Sequence, residues 1–171
     1  MFIPTPSLGF SLAEPALSAL HKHIPNAKTI GQGRMTYLFW DVYDAELIAP
    51  NAEYRKGERF ALKLTYLRSL QGKDIAQRSI KEIREQGFNN ERALDTWYQK
   101  MLDIFPDVEN GYFLLGIVDE NQHSHFYSAQ GHLGSINDPI FSQHFFDIWL
   151  AESTSAPKVR KQLLENNRIN K

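Results

Sequence analysis

One stretch of the chain, residues 90–106, carries the strongest helical signal in the sequence. Its apolar residues recur at the i, i+3, i+4, i+7, i+8 and i+11 spacing of a single helical face. They are Leu94, Trp97, Tyr98, Met101, Leu102 and Phe105. Asn90 is a suitable cap for this helix, and Pro106 ends it. Because so wide an apolar face must be covered, the pattern predicts a helix that packs on another apolar layer.

The other layer is predicted to be a β-sheet. Residues 29–48 are rich in aromatic and β-branched side chains and show no helical stripe, which predicts one long strand in the middle of the sheet. In Phe60–Tyr66 large apolar residues alternate with other side chains, which predicts a second strand. Further strands are predicted at 112–118, 125–128 and 133–136.

Three more helices are marked by the residues that begin or end them. Glycines at 72 and 87 bound one helix, Asp138 followed by proline opens another, and a short helix is expected over 157–164. The predicted strands and helices do not alternate as βαβ units. They therefore predict an α+β fold in which a largely antiparallel sheet is covered by a layer of helices.

No linker or repeat divides the sequence, which predicts a single domain over residues 1–171. Residues 1–24 are a leading segment, in which a Ser-x-x-Glu capping box at 11–14 precedes a short helix. The tail 166–171 is expected to fray. The sequence shows no signal peptide and no integral membrane span. We expect a cytoplasmic protein, or a periplasmic one if a leader has been removed.

The balance of charge argues against several classes of partner. There are 19 basic and 20 acidic side chains, for a net charge of -1. This balance provides no net field to attract a nucleic acid or an anionic membrane surface unless charge is locally segregated, so we expect neither partner. Hydrophobic residues make up 42% of the chain, which is typical of a globular protein with a packed core.

The residue types that bind metals or act as nucleophiles give little support for either role. There is no cysteine, which excludes disulfides and thiolate metal sites. Histidines are paired at i, i+2 spacing, as His21 with His23 and as His123 with His125, but neither pair has a third ligand nearby in sequence. No G-x-S-x-G motif or complete dinucleotide fingerprint is present. We therefore predict no metal, no cofactor and no catalytic triad.

The predicted helix after Gly72 carries two stripes. One is apolar, and the other combines Ile75, Arg78, Ser79 and Glu82 at i, i+3, i+4 and i+7. The mixed stripe has two interpretations. It is either a surface face with an Arg78–Glu82 ion pair worth ~0.3–0.5 kcal/mol, or the wall of a cleft.

Several ordered blocks of sequence resemble the bacterial chalcone isomerase-like family. The blocks are 31–47 (GQGRMTYLFWDVYDAEL), Phe60–Tyr66 (FALKLTY), 75–79 (IAQRS) and 145–150 (FFDIWL). The resemblance covers residues 25–164. It implies an antiparallel sheet and a helical layer that together enclose a cleft, which agrees with the α+β order derived above.

The enzymes of this fold cyclise a chalcone with an Arg and hydrogen-bonding Thr, Tyr and Asn side chains. The resemblance places Leu38 at the position of the Thr, and Ile75 and Glu82 at those of the Tyr and Asn. Arg34 is the nearby candidate for the Arg, although strict register selects Asn26. Because a missing donor to a developing enolate costs ~2.7–4 kcal/mol, these differences imply that the chain does not cyclise chalcones.

Non-catalytic relatives with this fold include fatty-acid binders, in which an Arg-centred polar group holds the carboxylate. We therefore expect a non-enzymatic binding protein for a small amphipathic ligand, such as a fatty or aromatic carboxylic acid. The predicted cleft residues are Trp40, Tyr66, Leu70, Ile75, Ser79 and Glu82. Arg34 or Arg78 is the predicted charge partner of the ligand.

Two other functions stay open at this point. One is an isomerase or lyase acting on an enone-like substrate, with Glu82 as general base and Arg34 or Arg78 stabilising the enolate. The other is a protein-interaction module with an aromatic surface near Phe145 and Trp149, although the helical stripe of these residues favours core packing. The sequence sets neither the oligomeric state nor the identity of the ligand.

Overall fold

The computed structural model describes residues 12–170, and at its centre is a six-stranded sheet. The strands lie in the sheet in chain order, each antiparallel to the next. They are β1 (Ala27–Tyr37), β2 (Trp40–Pro50), β3 (Phe60–Tyr66), β4 (Phe113–Val118), β5 (Ser124–Ser128) and β6 (Gly131–Ile136). The helices are α1 (Ala16–His23), α2 (Gly72–Glu85), α3 (Glu91–Ile104), α4 (Pro139–Leu150) and α5 (Pro157–Leu163). The predicted α+β class with an antiparallel sheet is confirmed.

Helices cover both faces of the sheet. Successive side chains of a strand point to opposite faces, and β2 shows the consequence, since Leu47 and Ile48 belong to two different core clusters. The larger cluster joins the sheet to α2, α3, α4 and α5. The smaller one forms where Leu20 of α1 and Ile24, the residue after this helix, pack near Ile48 and Ala61. The large cluster contains the space in which a ligand site is expected.

Residues 29–48 form a hairpin, so the prediction of one long strand is wrong. Tyr37 pairs with Trp40 across a two-residue turn made by Leu38 and Phe39. Leu38 adopts a φ of +56°, a conformation that glycine or asparagine adopts more readily. Because neither residue type stands at this turn, the apolar sequence carries no signal that it reverses direction.

β1 lies at the edge of the sheet, which corrects the predicted central position. Helix α5 packs on this strand at very short range. A Cβ at Gly31 would lie 2.2 Å from the Gln162 carbonyl oxygen, and one at Gly33 would lie 2.8 Å from Gln162 Oε1. The two glycines therefore allow α5 to pack closely on one face of this edge strand.

Two of the predicted helix caps are confirmed by their hydrogen bonds. The Asn90 side chain accepts a hydrogen bond from the Ala93 backbone N–H at 3.1 Å. The Asp138 carboxylate accepts from the N–H of Ile140 and of Phe141, at 2.9 and 3.3 Å. These bonds satisfy N–H groups of the first turns of α3 and α4. The predicted capping box depends on Ser11, which lies outside the described residues.

The C-terminal segment is packed, so the predicted fraying from residue 166 is wrong for this part of the tail. Asn167 is 3% exposed, and its side chain accepts from the Tyr54 N–H at 3.0 Å and donates to the Tyr54 carbonyl at 3.1 Å. The Arg168 N–H donates to the Ala52 carbonyl. These bonds hold the tail on the loop between β2 and β3. Within residues 12–170, no helix combines the length and hydropathy needed to cross a bilayer.

Candidate ligand-binding cavity

A cavity of about 510 Å³ lies between the sheet and helices α2 and α4. Side chains from β1 to β5 form one wall, and α2, α4 and the segment after α4 form the other. The volume falls within the ~300–1,000 Å³ range of small-molecule sites. Most of the lining side chains are apolar, and a few polar groups are concentrated among the residues of α2 and their neighbours. This composition suits a ligand that has a long apolar part and one polar group.

The inner end of the cavity is a cluster of phenylalanine rings. Phe105, Phe126, Phe145 and Phe146 all line it, and each is no more than 6% exposed. Phe126 contacts Phe105 edge-on, with ring centroids 5.2 Å apart, and Phe145 in the same way at 5.6 Å. A Cβ at Gly116 would lie 2.9 Å from Phe146 Cζ, so the glycine makes room for this ring. None of these four side chains carries a charge or a hydrogen-bonding group.

An ion pair lies on the α2 wall. Arg78 donates from Nε and Nη2 to Glu82 Oε1, at 3.0 and 2.8 Å. The other carboxylate oxygen of Glu82 accepts from Ser155 Oγ at 2.8 Å. The Glu82 side chain is 6% exposed, whereas that of Arg78 is 56% exposed. The Arg78–Glu82 pair therefore exists, but it is not a surface pair because Glu82 is buried, and both residues line the cavity.

Tyr43 on β2 faces this ion pair. Its hydroxyl oxygen accepts a hydrogen bond from Trp149 Nε1 at 2.8 Å. Burial, reinforced by the negative charge of Glu82 and partly opposed by the Trp149 hydrogen bond, raises the pKa of Tyr43 to about 12. The phenol is therefore protonated at neutral pH. Because its oxygen already accepts from Trp149, its proton is left to be donated to an acceptor in the cavity.

Tyr66 on β3 carries an unused hydrogen-bonding group. The residue is 2% exposed and lines the cavity, and its ring lies edge-on to that of Tyr43 with centroids 5.8 Å apart. Burial, with a smaller contribution from Tyr43, raises the pKa of the Tyr66 hydroxyl above its usual range. Its hydroxyl makes no hydrogen bond to any residue that the structure describes. Because the residue is otherwise buried, a ligand atom or a water in the cavity is the partner that this hydroxyl can reach.

The outer end of the cavity is exposed and contains a second arginine. Tyr37, Arg68, Asp74 and Arg78 line the cavity and are exposed to solvent, so they form its mouth. The Arg68 guanidinium lies 5.0 Å from the centre of the Trp40 ring. Within residues 12–170, no carboxylate forms a salt bridge with Arg68. The sequence analysis missed this residue because it follows β3 outside any recognisable pattern.

Six of the eight predicted site residues line the cavity: Tyr66, Leu70, Ile75, Arg78, Ser79 and Glu82. Arg34 and Trp40 do not. Arg34 pairs with Asp44 at 2.7 Å and Asp41 at 3.3 Å on the outside of the hairpin, because it lies opposite Asp44 in the register of β1 and β2. Trp40 is 60% exposed at the base of the hairpin turn.

Leu38 also lies outside the cavity, which removes the basis for comparing it with the catalytic Thr of the chalcone-cyclising enzymes. It is 76% exposed in the hairpin turn. Two residues earlier, Thr36 lines the cavity instead, and Tyr43 provides a second hydroxyl from β2. The cavity therefore retains more hydroxyl groups than the sequence comparison implied.

The aromatic residues proposed as an interaction surface are buried. Phe145 is 5% and Trp149 6% exposed, because their helical stripe faces the sheet. Among residues 12–170, the exposed aromatic side chains lie instead at the β1–β2 turn. Tyr37, Phe39 and Trp40 are 59%, 99% and 60% exposed.

One histidine from each of the two sequence pairs meets Asp119 on the side of the sheet that α1 covers. The His23 and His125 rings are nearly parallel with centroids 4.9 Å apart, and His125 Nε2 lies 2.8 Å from Asp119 Oδ2. Burial raises the pKa of Asp119, but the bonds from His125 and from the N–H groups of His123 and Asn121 outweigh it, and the pKa is lowered. The atoms of His23, Asp119 and His125 that could bind a metal ion lie within 4.8 Å of one another. The sequence analysis considered the two pairs separately and missed this cluster.

Comparisons with known proteins bear on the fold. No family model matches the sequence. An uncharacterized protein of Haemophilus influenzae is 28% identical over 142 residues, which cover 82% of this chain and 69% of that protein. A crystal structure of a fatty-acid binding protein from Arabidopsis thaliana matches with a TM-score of 0.64 at 13% identity, over 84% of this chain and 89% of that one. The chain therefore has the chalcone isomerase-like fold, which it shares with a plant fatty-acid binding protein.

Proposed function

We propose that this protein belongs to the bacterial chalcone isomerase-like family and binds a single-chain amphipathic carboxylate, with fatty acids as the first choice of ligand. The observation that carries the proposal is a largely apolar cavity of about 510 Å³ in which the hydroxyl of Tyr66 has no hydrogen-bond partner among the described residues. The match to a plant fatty-acid binding protein supports the choice of ligand.

The hydrocarbon chain of the ligand would occupy the inner end of the cavity. The four phenylalanine rings there are almost completely buried and offer no hydrogen-bonding group. Each methylene that leaves water for such surroundings contributes ~0.8 kcal/mol. A chain of ten or more carbons therefore gives substantial affinity without any polar contact.

The carboxylate would lie near α2, where donors meet. Tyr66 and Tyr43 each have a hydroxyl proton to donate, and Arg78 uses only Nε and Nη2 on Glu82. The Nη1 group of Arg78 thus has N–H donors for a ligand oxygen. Charge-assisted bonds of this kind are the strong ones, at ~1.5–3 kcal/mol each.

The isomerase alternative has weaker support from the same geometry. A general base needs a lone pair directed at the proton that it removes. Glu82 accepts from Arg78 on Oε1 and from Ser155 on Oε2. Its carboxylate is thus already engaged in positioning Arg78, which suits a binding role better than proton abstraction.

Calorimetric titration of delipidated protein tests the proposal directly. We expect lauric and palmitic acids to bind, and the Arg78→Gln variant to bind them at least tenfold more weakly, while its affinity for lauryl alcohol changes much less. Arg84→Gln is the matched control, since Arg84 also pairs with a glutamate but lies outside the cavity. Absence of binding by either acid, or equal losses in the two variants, would refute the proposal.

A further inference from the structure

The turn between β1 and β2 is an exposed apolar tip, here called the aromatic tip and defined as residues 37–40. Its members Tyr37, Leu38, Phe39 and Trp40 are 59%, 76%, 99% and 60% exposed. The other large apolar side chains exposed in the described part of the chain, Ile140 and Ile169, are isolated in sequence. A patch of four adjacent apolar residues on a protein surface is a typical sign of an interaction site.

The turn itself is unfavourable for this sequence. Leu38 adopts a φ of +56°, where a glycine is least strained, and Phe39 places a full aromatic ring in water. Neither residue contributes to the core. The side chains of Leu38 and Phe39 therefore add no buried apolar surface to the folded protein. They are free to insert into an apolar phase outside it.

The aromatic tip is continuous with the mouth of the cavity. Tyr37 belongs both to the tip and to the cavity lining. Arg68 also lines the cavity, and its guanidinium stacks on Trp40 at 5.0 Å. Anything that covers the tip therefore lies beside the opening through which a ligand would pass.

We propose, on the basis of the proposed function, that the aromatic tip docks on the surface of a phospholipid bilayer and turns the cavity mouth toward the lipid. The order of the side chains fits the depth profile of a bilayer interface. Leu38 and Phe39 at the apex have no polar atoms, and on either side Tyr37 and Trp40 combine an apolar ring with one polar group, as at the interfacial aromatic belts of membrane proteins.

The charged residues next to the aromatic tip suit contact with lipid phosphate groups better than contact with a highly charged protein. Arg68 forms no salt bridge with a described carboxylate and lies at the level of Trp40, next to the apex. Arg34 is already paired with both Asp41 and Asp44, a group with a net charge of -1 that Arg68 balances, so the surface around the tip is close to neutral. Docking therefore depends on insertion of the apolar side chains, with Arg68 as the cation at the level of the headgroups. Zwitterionic phosphatidylcholine is a sufficient target, because no net negative charge on the bilayer is needed.

Flotation of the full chain with vesicles tests the proposal. We expect binding to pure phosphatidylcholine vesicles, and a loss of at least tenfold in the double variant Leu38→Gly/Phe39→Ser. This variant places glycine at the positive φ, so its turn is less strained and its fold is retained. Ile140→Ser is the matched control, because it removes an exposed apolar side chain elsewhere.

Tryptophan fluorescence gives a second readout on the same samples. Trp97 and Trp149 are 2% and 6% exposed, so a blue shift on adding vesicles reports Trp40. Lipids brominated on their acyl chains are expected to quench this emission. No flotation with phosphatidylcholine, equal flotation of the double variant, or a tip-dependent dimer without vesicle binding would overturn the docking proposal.

Fatty-acid binding in vesicle-free buffer separates this proposal from the proposed function. The double variant is expected to bind lauric acid as tightly as the wild type, since neither Leu38 nor Phe39 lines the cavity. Vesicle docking without any fatty-acid binding would support the tip and refute the ligand. Fatty-acid binding without docking would support the ligand and overturn the role of the tip.

Discussion

The indole Nε1 of Trp149 donates a hydrogen bond to the hydroxyl of Tyr43 across 2.8 Å, which ties α4 to β2 inside the cavity. Tyr66 lies beside this pair, and its hydroxyl makes no such bond to a described residue. These two neighbouring phenols of the cavity thus differ in whether another side chain of the protein forms a hydrogen bond with the hydroxyl. We therefore expect the Tyr43 hydroxyl to contribute to stability and the Tyr66 hydroxyl to contribute to ligand binding.

Replacing Tyr43 by phenylalanine is expected to destabilise the ligand-free protein. The substitution leaves the Trp149 N–H buried without an acceptor, which costs ~1–3 kcal/mol. Urea denaturation of the delipidated variant measures this loss as a lower midpoint at constant slope. An unchanged midpoint would show that water replaces the phenol at no cost.

Tyr66→Phe is expected to leave stability almost unchanged and to weaken ligand binding. Its hydroxyl has no described partner to lose, so the free energy of unfolding should change by less than ~0.5 kcal/mol. Affinity for lauric acid should fall at least tenfold, since a hydrogen bond to a carboxylate contributes ~1.5–3 kcal/mol. A variant that is less stable but binds as before would show that this hydroxyl serves the fold instead.

The length of the ligand chain should control affinity in regular steps. Each added methylene contributes ~0.8 kcal/mol, or about fourfold in Kd, as long as it enters the apolar end formed by Phe126 and its neighbours. Titration of saturated acids from eight to eighteen carbons is expected to show this increase and then a plateau when the cavity is full. Equal affinity across the series would place the chain outside the cavity.

Much of the fold was predictable because its signals are local. The caps Asn90 and Asp138, the stripes of α3 and α4, and the strands after α3 all lie where short-range patterns placed them. The β1–β2 turn was not predictable in this way. Leu38 and Phe39 form a reversal with residues that usually extend a strand, and only the pairing of the two strands requires it.

The candidate site likewise has one part that local sequence patterns predict and one part that they do not. Ile75, Arg78, Ser79 and Glu82 share one face of α2, so helical spacing alone brought them together. The partners that complete the site come from distant elements. Ser155 reaches Glu82 across 73 positions of sequence, and Trp149 reaches Tyr43 across 106, so both contacts depend on how α4 and its flanks pack on the sheet.

Asp138 is expected to contribute more to stability than an ordinary helix cap. One oxygen of its carboxylate caps α4, and the other accepts from Trp97 Nε1 at 3.0 Å. Asp138→Ala therefore loses a cap worth ~1 kcal/mol and leaves a buried N–H unpaired at ~1–3 kcal/mol. Asn90→Ala is the matched control, because it removes only the cap of α3. Equal losses in urea denaturation would mean that the Trp97 bond contributes nothing.

Stability is expected to fall as the pH is lowered from 7 toward 5. His144 lies against Phe88 with ring centroids 4.4 Å apart, and burial, together with repulsion from Lys56, lowers its pKa despite the attraction of Asp147. The unfolded chain, with a histidine pKa of ~6.5, then binds the proton more readily than the folded one. The contribution of neutral His144 to stability is therefore complete above pH ~6.5. It is lost as the pH falls from there through the lower pKa that His144 has in the folded protein.

His144→Gln should therefore reduce the dependence of unfolding free energy on pH between 7 and 5. The variant also loses the contact with Phe88, so the slope, and not the absolute stability, is the informative quantity. His21→Gln is the control, since His21 is exposed on α1. The pKa of His23 is lowered too, by burial and by His125, so part of the slope should persist in His144→Gln and disappear when His23→Gln is added. A slope equal to that of the wild type in the double variant would assign the acid sensitivity to other groups.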